Sequence, residues 1–405
     1  MAAKRSSTPG ARHPKNRSNM RRAGKRATKT RKPTSDQLLA VAVRLARRGN
    51  AMDALGQAKA IVDADPGHWR ALGFIANILW RMEQPESALQ ALAATIDHAP
   101  DEAKVQIDLA AKFISAALKT KKDLERAVAI GERTLNRHGP TWPLLNALVN
   151  VQAQAGHLAE SLKTVHLGTT LFPDKIEFQR HKSVLLTRMG RLEESLEAFA
   201  HTIRPNLKNS RSISDVRSRY TALAPGYDNN TLHQSFSERM AKFVFGLVGS
   251  TLNKRILDAG CGTGLLATRM KAACLVGIDK SPDMLAQARA RGIYAELIEG
   301  DLVQAMSQRT DSFDLVISAC VLYHIANLAP FFREAARILI PGGYLFLSVD
   351  PAPDTMEMGA TAPGEYAHSR RYLRRVAAET GFTEAAIKIM EHRATPGFWC
   401  AFRRT

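Results

Sequence analysis

Apolar residues recur at helical spacing through residues 35–205. The clearest stretch has intervals of four, three and four residues between its apolar positions, which are Leu192, Leu196, Phe199 and Ile203. These intervals place the four side chains on one face of a helix. One helix pair cannot bury such a face alone, but stacked pairs can. The pattern therefore predicts an all-α array over residues 35–205.

Two markers repeat along this array. Similar turn-and-small-residue segments occur at 47–55 (RRGNAMDAL), 81–89 (RMEQPESAL), 119–128 (KTKKDLERAV), 154–162 (QAGHLAESL) and 188–196 (RMGRLEESL). Prolines recur 34, 40, 33 and 32 residues apart, at Pro66, Pro100, Pro140, Pro173 and Pro205. Because proline lacks an amide hydrogen and clashes inside a helix, each one is expected to end a helix pair.

The proline period and the small-residue positions resemble tetratricopeptide repeats, whose period is about 34 residues. Trp69, Trp80 and Trp142 stand near or within first helices, where that family has aromatic residues. The resemblance implies a solenoid with a concave surface for a protein or peptide. A purely structural stalk or a dimerisation element is the alternative.

The pattern changes over residues 206–405, where strand-like runs alternate with helical stretches. The strand candidates are 254–258, 274–279, 295–298, 313–318, 344–349, 385–391 and 397–403. This order predicts an α/β Rossmann-like, doubly wound sheet of seven strands, the last of them antiparallel. The Pro-Gly-Gly at 341–343 is expected to form a turn before the fifth strand.

A glycine-rich turn follows the first strand, in RILDAGCGTGLLA at 255–267. Gly260, Gly262 and Gly264 let the backbone approach a ligand closely. A dinucleotide fingerprint, GxGxxG, would require a glycine at the position of Leu265. The spacing therefore disfavours a dinucleotide oxidoreductase.

Acidic residues mark the ends of the first three strands. Asp279 lies nineteen residues after Gly260, where an acid can accept hydrogen bonds from ribose hydroxyls. Asp258 precedes the glycine turn, and Asp301 follows the third strand. The combination resembles class I S-adenosylmethionine-dependent methyltransferases.

That resemblance implies that Asp258 lies near the methionine end of the cofactor and that Asp301 contacts the adenine amino group. The implied cofactor-binding residues are Asp258, Gly260, Cys261, Gly262, Thr263, Gly264, Asp279, Lys280, Met284, Asp301, Leu302 and Tyr227. Tyr227 belongs to the segment RYTALAPGYDNN at 219–230, which resembles a helix that folds over the cofactor. A packing role is the alternative for this tyrosine.

The motifs on the expected substrate side are less specific than the cofactor motifs. The fourth strand leads into ACVLYHI at 319–325, so Tyr323 and His324 are expected at the carboxyl edge of the sheet. Tyr366 and His368, in a segment at 365–382, resemble the active-site cap of methyltransferases that contain tetratricopeptide repeats. A base is useful only when the acceptor is a hydroxyl or a protonated amine. His324 and His368 are the candidates, with Tyr366 a lesser one, and structural roles are the alternatives.

The distribution of charge and cysteines bears on the N-terminal tail and on the cellular compartment. Twelve of the 57 basic residues fall in residues 1–34, which contain no acid and are expected to be a disordered tail. The tail is a weak candidate for binding nucleic acid or an anionic surface. The four scattered cysteines indicate a reducing compartment, the cytoplasm, and the sequence has neither metal-ligand spacing nor a membrane span.

The leading hypothesis is an S-adenosylmethionine-dependent methyltransferase whose repeats recruit a protein partner or the substrate. The three expected segments are a tail over 1–34, repeats over 35–205 and a methyltransferase domain over 206–405. The alternative is a scaffold whose methyltransferase-like domain senses the cofactor without catalysing transfer. The acceptor is either a small molecule or a protein.

Overall fold

The computed structural model describes residues 33–205 and 213–405. Residues 1–32, which make up almost all of the predicted basic tail, lie outside it. Ten helices make up the first described stretch: α1 (Ser35–Arg47), α2 (Ala51–Ala64), α3 (Trp69–Arg81), α4 (Pro85–His98), α5 (Ala103–Thr120), α6 (Leu124–His138), α7 (Trp142–Ala155), α8 (Leu158–Leu171), α9 (Ile176–Arg188) and α10 (Leu192–Ala200). None of the helices in the described ranges is both long and apolar enough to cross a membrane.

Each of these helices packs against the next one along the chain. The predicted turn segments fall within the pairs α1/α2 to α9/α10, and the first four of the marker prolines fall between pairs. The interior is apolar and continuous from pair to pair. Phe113 of α5 and Leu148 of α7, for example, belong to one core cluster that spans α4 to α7.

The second stretch begins with two helices, α11 (Ile213–Leu223) and α12 (Thr231–Val248), joined by a 3-10 turn at Ala224–Asn229. Pro225 and Gly226 occupy this turn, which explains why the predicted helix over 219–230 is interrupted. The remaining helices are α13 (Pro282–Ala290), α14 (Leu302–Ser307), α15 (Ala329–Ile338) and α16 (Arg370–Glu379).

The sheet has nine strands: β1 (Arg255–Ala259), β2 (Cys274–Asp279), β3 (Glu296–Glu299), β4 (Phe313–Ser318), β5 (Leu339–Ala352), β6 (Met358–Ala362), β7 (Glu365–Ser369), β8 (Phe382–His392) and β9 (Thr395–Arg404). Strands β3, β2, β1, β4 and β5 are parallel neighbours in that order. Strand β9 is antiparallel to both β5 and β8, as predicted for the last strand.

The prediction of seven strands is wrong, because the sheet contains one additional hairpin, formed by β6 and β7. Strands β6 and β7 pair with each other, and β7 also pairs with the end of β5 at Asp350–Ala352. Short runs such as MGATA lack the long β-branched pattern that marks a strand, so no strand is predicted there. The Pro-Gly-Gly at 341–343 is also not a turn before β5. It lies within β5, where pairing with β4 shifts from Leu339 to Tyr344.

Alternate strand residues supply two cores, one on each face of the sheet. Leu345 and Leu347 of β5 pack with α15 and α16, whereas Phe346 packs with α12. Because successive side chains of a strand point to opposite faces, this alternation buries both sides. The arrangement leaves the carboxyl edge of the parallel strands as the open edge.

The last helix pair contacts the sheet directly. Ile203 and Phe199 share a small core with Ala352 and Ala367. Arg204 and Ala360 of β6 exchange two backbone hydrogen bonds of 3.1 and 2.7 Å. The extra hairpin therefore joins the helical array to the α/β region.

Candidate active site

The glycine turn after β1 adopts a conformation that favours glycine. Gly260, Gly262 and Gly264 have φ values of 89°, 54° and 80°, all in the left-handed region. A Cβ on Gly260 would lie 2.3 Å from the Val321 side chain, whereas one on Gly262 would meet nothing within 4 Å. Gly260 is thus required by close packing as well as by backbone angle.

Asp279 at the end of β2 holds this turn. One carboxylate oxygen accepts a 2.8 Å hydrogen bond from the Gly262 amide, and the other accepts a 2.8 Å bond from the Ser281 amide. Burial raises the pKa of Asp279, and these amide bonds oppose that rise. Each carboxylate oxygen keeps a second lone pair, so the group can still accept hydrogen bonds from a ligand.

Asp301 at the end of β3 is the N-cap of α14. Its Oδ1 accepts bonds from the Val303 and Gln304 amides, at 3.1 and 3.4 Å. Its Oδ2 lies 3.3 Å from Lys280 Nζ, so these two predicted residues are paired. The cap positions Asp301 and Leu302 beside the end of β2.

Asp258 at the end of β1 is only 2% exposed. The Tyr294 hydroxyl donates a 2.7 Å hydrogen bond to its carboxylate. Burial raises the pKa of Asp258 to about 7, despite that bond. The turn is therefore backed by a carboxyl group that changes charge near neutral pH.

The 3-10 turn at Ala224–Asn229 covers the glycine turn. Asp228 accepts a 2.6 Å hydrogen bond from the Thr263 hydroxyl and forms an ion pair with Arg291. Arg291 also donates to the Thr263 carbonyl oxygen at 2.6 Å. Tyr227, on the same turn, stacks on His233 with ring centroids 4.0 Å apart. We call residues 213–229 the lid.

A tyrosine–histidine cluster lies beyond the end of β4. The Tyr220 hydroxyl of the lid is 2.7 Å from the Tyr323 hydroxyl and 3.2 Å from His324 Nε2. Burial is the main cause that lowers the pKa of His324, which is therefore neutral at neutral pH. A neutral imidazole at this place can accept a proton.

Fixed charges surround this cluster. Arg219 of the lid bonds Glu365 of β7 at 2.8 Å, and Arg393 bonds both Glu365, at 3.2 Å, and Asp350 of β5. The Arg393 guanidinium also lies over the Tyr323 ring, 3.6 Å from its centroid. These ion pairs connect the lid to the hairpin and to β5.

A single cavity of about 970 Å³ contains both groups of residues. Small-molecule sites commonly occupy roughly 300–1,000 Å³, so this one lies at the large end of the range. We call the end near the glycine turn the cofactor end and the end near Tyr323 the acceptor end. Arg180 and Val184 of α9 and Phe199 of α10 also line the cavity. The helical array thus forms one of its walls.

Most of the predicted residues meet in this cavity. Those that line it are Asp258, Gly260, Cys261, Gly262, Thr263, Asp279, Lys280, Met284, Asp301, Leu302, Tyr227, His324 and Tyr366. Gly264 lies behind the turn, where a Cβ would be 2.9 Å from the Tyr294 ring. No group of His, Cys, Asp and Glu in the described ranges is arranged to hold a metal ion.

The structure does not bring His368 to the cavity. Its side chain is fully buried, and its Nε2 lies 2.9 Å from the Ala326 carbonyl oxygen. Burial lowers the pKa of His368 to about 4. These contacts match the structural alternative for this histidine rather than the role of a base.

Sequence reasoning missed several residues of the site. Asp228 stood within the quoted lid segment but was not singled out. Tyr294, Arg291, Asp350 and Arg393 approach from separate elements and belong to no spacing motif. Of these residues, only Asp228 lies in a motif that could be recognised in the sequence, the segment at 219–230.

A methyltransferase domain family matches residues 257–347. A demethylmenaquinone methyltransferase of Tropheryma whipplei (strain Twist) is 30% identical over 175 residues, which cover 41% of this chain and 64% of the relative. A ubiquinone biosynthesis O-methyltransferase of Xanthomonas oryzae pv. oryzae (strain PXO99A) is 37% identical over 100 residues, which cover 23% of this chain and 42% of the relative. The chain thus spans less than two thirds of the length of these curated relatives.

Among solved structures, the magnesium protoporphyrin IX methyltransferase of Synechocystis PCC 6803 with bound SAH is 18% identical. The match covers 48% of this chain and 100% of that one, with a TM-score of 0.38. The family match covers β1 to β5 with the glycine turn, Asp279 and Asp301. It confirms the predicted methyltransferase domain.

Proposed function

We propose that the chain transfers a methyl group from S-adenosylmethionine to a small hydroxylated acceptor. The observation that carries this proposal is the single cavity shared by the glycine turn and the tyrosine–histidine cluster. The cofactor end supplies a close backbone approach and carboxylates. The acceptor end supplies a neutral imidazole and hydroxyl groups.

The residues of the cofactor end fit this methyl donor. Asp279 and the glycine turn both line the cavity, and the Asp279 carboxylate keeps free lone pairs for a ligand. We assign the ribose hydroxyls to Asp279 and the adenine to the region of Asp301 and Leu302. Asp258 and the turn hold the methionine end.

When it is bound, the cofactor supplies an electrophilic methyl group on a sulfonium. The protein aligns the acceptor and excludes water, which is where most of its contribution lies. The lid is held over the turn by the bonds of Asp228 to Thr263 and Arg291. The Tyr220 hydroxyl takes the proton of the acceptor hydroxyl and passes its own proton to His324 Nε2, which lies 3.2 Å away.

Two kinds of observation favour a small acceptor. The acceptor end is lined by the lid, the β6–β7 hairpin and α9, and its dimensions suit a small molecule. The names of the two curated relatives describe methyltransferases of demethylmenaquinone and of ubiquinone biosynthesis. We therefore propose an acceptor of that size with a hydroxyl group.

For the helical array we propose two roles. Its last pair shapes the acceptor end, because α9 and α10 line the cavity and pack against the hairpin. The earlier pairs, α1 to α8, form a solenoid of the tetratricopeptide type whose surface binds a protein or peptide. Their regular pairing and their period near 34 residues support this assignment.

The test is transfer of a labelled methyl group from S-adenosylmethionine to the small-molecule and protein fractions of a cell extract. We expect label in the small-molecule fraction with the wild type and much less with Asp279→Ala at the same cofactor concentration. Label in protein alone would contradict the proposed acceptor class. Cofactor binding without transfer to either fraction would favour the cofactor-sensing scaffold.

A further inference from the structure

The acidic side chains at the acceptor end are already paired with basic groups. Asp350 Oδ1 lies 2.8 Å from His392 Nδ1, and the other carboxylate oxygen accepts from Arg393. Glu365 accepts a 2.8 Å bond from Arg219 and a 3.2 Å bond from Arg393. A cationic group on the acceptor would have to compete with these partners, so this end of the cavity is not arranged to bind one.

Arg180 of α9 differs from the other basic side chains at this end. It lines the cavity together with Val184, which lies one helical turn further on. Across the described parts of the chain, no acid lies within ion-pair distance of Arg180, whereas Arg239 pairs with Glu391 at 2.8 Å. Helix α9 packs against β9, which begins just after Arg393. The acceptor end therefore has one guanidinium whose charge the described residues do not balance.

Two hydrogen-bond donors at this end also lack a partner. The Thr361 hydroxyl of β6 and the Arg393 Nε are buried and make no hydrogen bond with any residue that the structure describes, and both residues line the cavity. Thr361 lies where the pairing of β6 with β7 shifts, between Ala360 and Ala362. Buried polar groups are nearly always hydrogen-bonded, and an Nε–H can only donate. Unused donors together with an unbalanced positive charge fit a ligand with negatively charged oxygen atoms.

Given the proposed function, on which this inference rests, we propose that the small hydroxylated acceptor also carries a carboxylate and that Arg180 binds it. A guanidinium presents paired N–H donors that match the two oxygens of a carboxylate. Thr361 and the Nε of Arg393 supply further donors at the same end of the cavity. The carboxylate is bound and not methylated, so the product keeps its negative charge.

The charge at this end fits a carboxylate better than a phosphate. One guanidinium is unbalanced, and a carboxylate brings one negative charge. A phosphate monoester carries a charge of about −1.5 to −2 at pH 7, which would leave negative charge uncompensated near Asp350 and Glu365. A phosphate is therefore the alternative that the experiment has to exclude.

The first measurement determines the charge of the methylated product. The full-length protein is incubated with labelled S-adenosylmethionine and the small-molecule fraction of a cell extract, and the products are separated by anion exchange beside an incubation without the protein. We expect label in products that are retained at neutral pH, that phosphatase does not release, and that lose their charge at about pH 2, where a carboxyl group is protonated. Label only in unretained or phosphatase-sensitive products would overturn the proposal. No label in any product would contradict the proposed function itself.

Substitutions at Arg180 test whether this residue binds the carboxylate. Arg180→Gln should raise the concentration of the extract fraction needed for half-maximal labelling by about tenfold, with the maximal rate within about twofold. Arg180→Lys keeps the charge and should recover part of this loss. An unchanged half-maximal concentration in Arg180→Gln would overturn the assignment.

Arg188→Gln is the matched control on the same helix. Arg188 is not among the residues that line the cavity, and its guanidinium donates to the Ala153 carbonyl oxygen. We expect this variant to label the extract fraction as the wild type does, and a loss equal to that of Arg180→Gln would overturn the assignment. Affinity for S-adenosylhomocysteine should be the same in all of these proteins, which separates a loss of acceptor binding from a loss of folding.

Discussion

The cofactor end of the cavity is built largely from the ends of three consecutive strands, whereas the acceptor end draws on segments far apart in the chain. Gly260, Asp279 and Asp301 lie at or just after the ends of strands β1, β2 and β3. At the other end, Tyr220 of the lid meets Tyr323 across 103 residues, and Arg219 meets Glu365 across 146.

This difference explains how readily the residues at each end of the cavity can be substituted. The cofactor end depends on backbone angles and on carboxylates that bond backbone amides, so few substitutions are compatible with it. The acceptor end depends on side chains from several separate segments, including α9 of the helical array. A common methyl donor can thus be held by a fixed frame, while the acceptor is selected by parts that change independently.

The largest effect is expected from Gly260→Ala. The new Cβ would meet Val321 at 2.3 Å, and the φ of 89° adds strain. The variant turn is expected to relax, and restoring its native position on binding costs about 2–5 kcal/mol, so cofactor affinity should fall by about thirtyfold to several thousandfold. The measurement is calorimetric titration with S-adenosylhomocysteine.

Gly262→Ala is the matched control for this change. Its Cβ meets nothing within 4 Å, so only the strain from a φ of 54° remains. Affinity should fall by about tenfold. Equal losses in the two variants would show that close packing at Gly260 does not matter.

His324→Gln tests the acceptor end and should lower the rate of methyl transfer by about a hundredfold. The lowered pKa of His324 means that the neutral, proton-accepting form is lost only as the pH falls below about 6.5. The wild-type rate should therefore be flat above that pH and fall below it, and the variant should lack this fall. An unchanged rate in the variant would show that no base acts here.

Asp279→Ala removes the acceptor of two amide hydrogen bonds, from Gly262 and Ser281. The variant also loses the proposed ribose contact, and one bond to a charged group contributes about 1.5–3 kcal/mol, so affinity for S-adenosylhomocysteine should fall by about thirtyfold. Asp283→Ala is the control, because Asp283 lies in the first turn of α13 and, among the described residues, its side chain accepts a hydrogen bond only from Thr221 of the lid. Similar losses in both would point to a general effect on α13.

Val184→Trp should impair the acceptor end of the cavity without affecting the cofactor end. Val184 of α9 lines the cavity, so a larger side chain there should lower methyl transfer by about tenfold. Affinity for S-adenosylhomocysteine should stay within about twofold, since α9 does not reach the glycine turn. Leu171→Trp, at an exposed position of α8, should change neither quantity. Loss of cofactor affinity in Val184→Trp would contradict the division of the cavity.

Sequence reasoning recovered the cofactor end because its requirements are local. Glycines at fixed spacing and acids at strand ends are visible in one short segment. The helix pairs were predicted equally well, because proline and amphipathic spacing act within each repeat. The repeat family and the role of the array remain predictions.

The acceptor end was recovered only in part. His324 was named because it follows the fourth predicted strand, and Tyr366 because its segment resembles an active-site cap; both line the cavity. Arg393 and Asp350 belong to no motif, and their pairing depends on how β5 and β8 meet through β9. The β6–β7 hairpin was missed because packing against α10, rather than local propensity, stabilises its short strands.

The most direct test of the central claim is calorimetric titration of the full-length protein with S-adenosylhomocysteine and, separately, with NAD. The account predicts one saturable site for S-adenosylhomocysteine and no heat of binding for NAD, because Leu265 stands where a dinucleotide turn needs glycine. Binding of NAD, or no binding of S-adenosylhomocysteine, would contradict it.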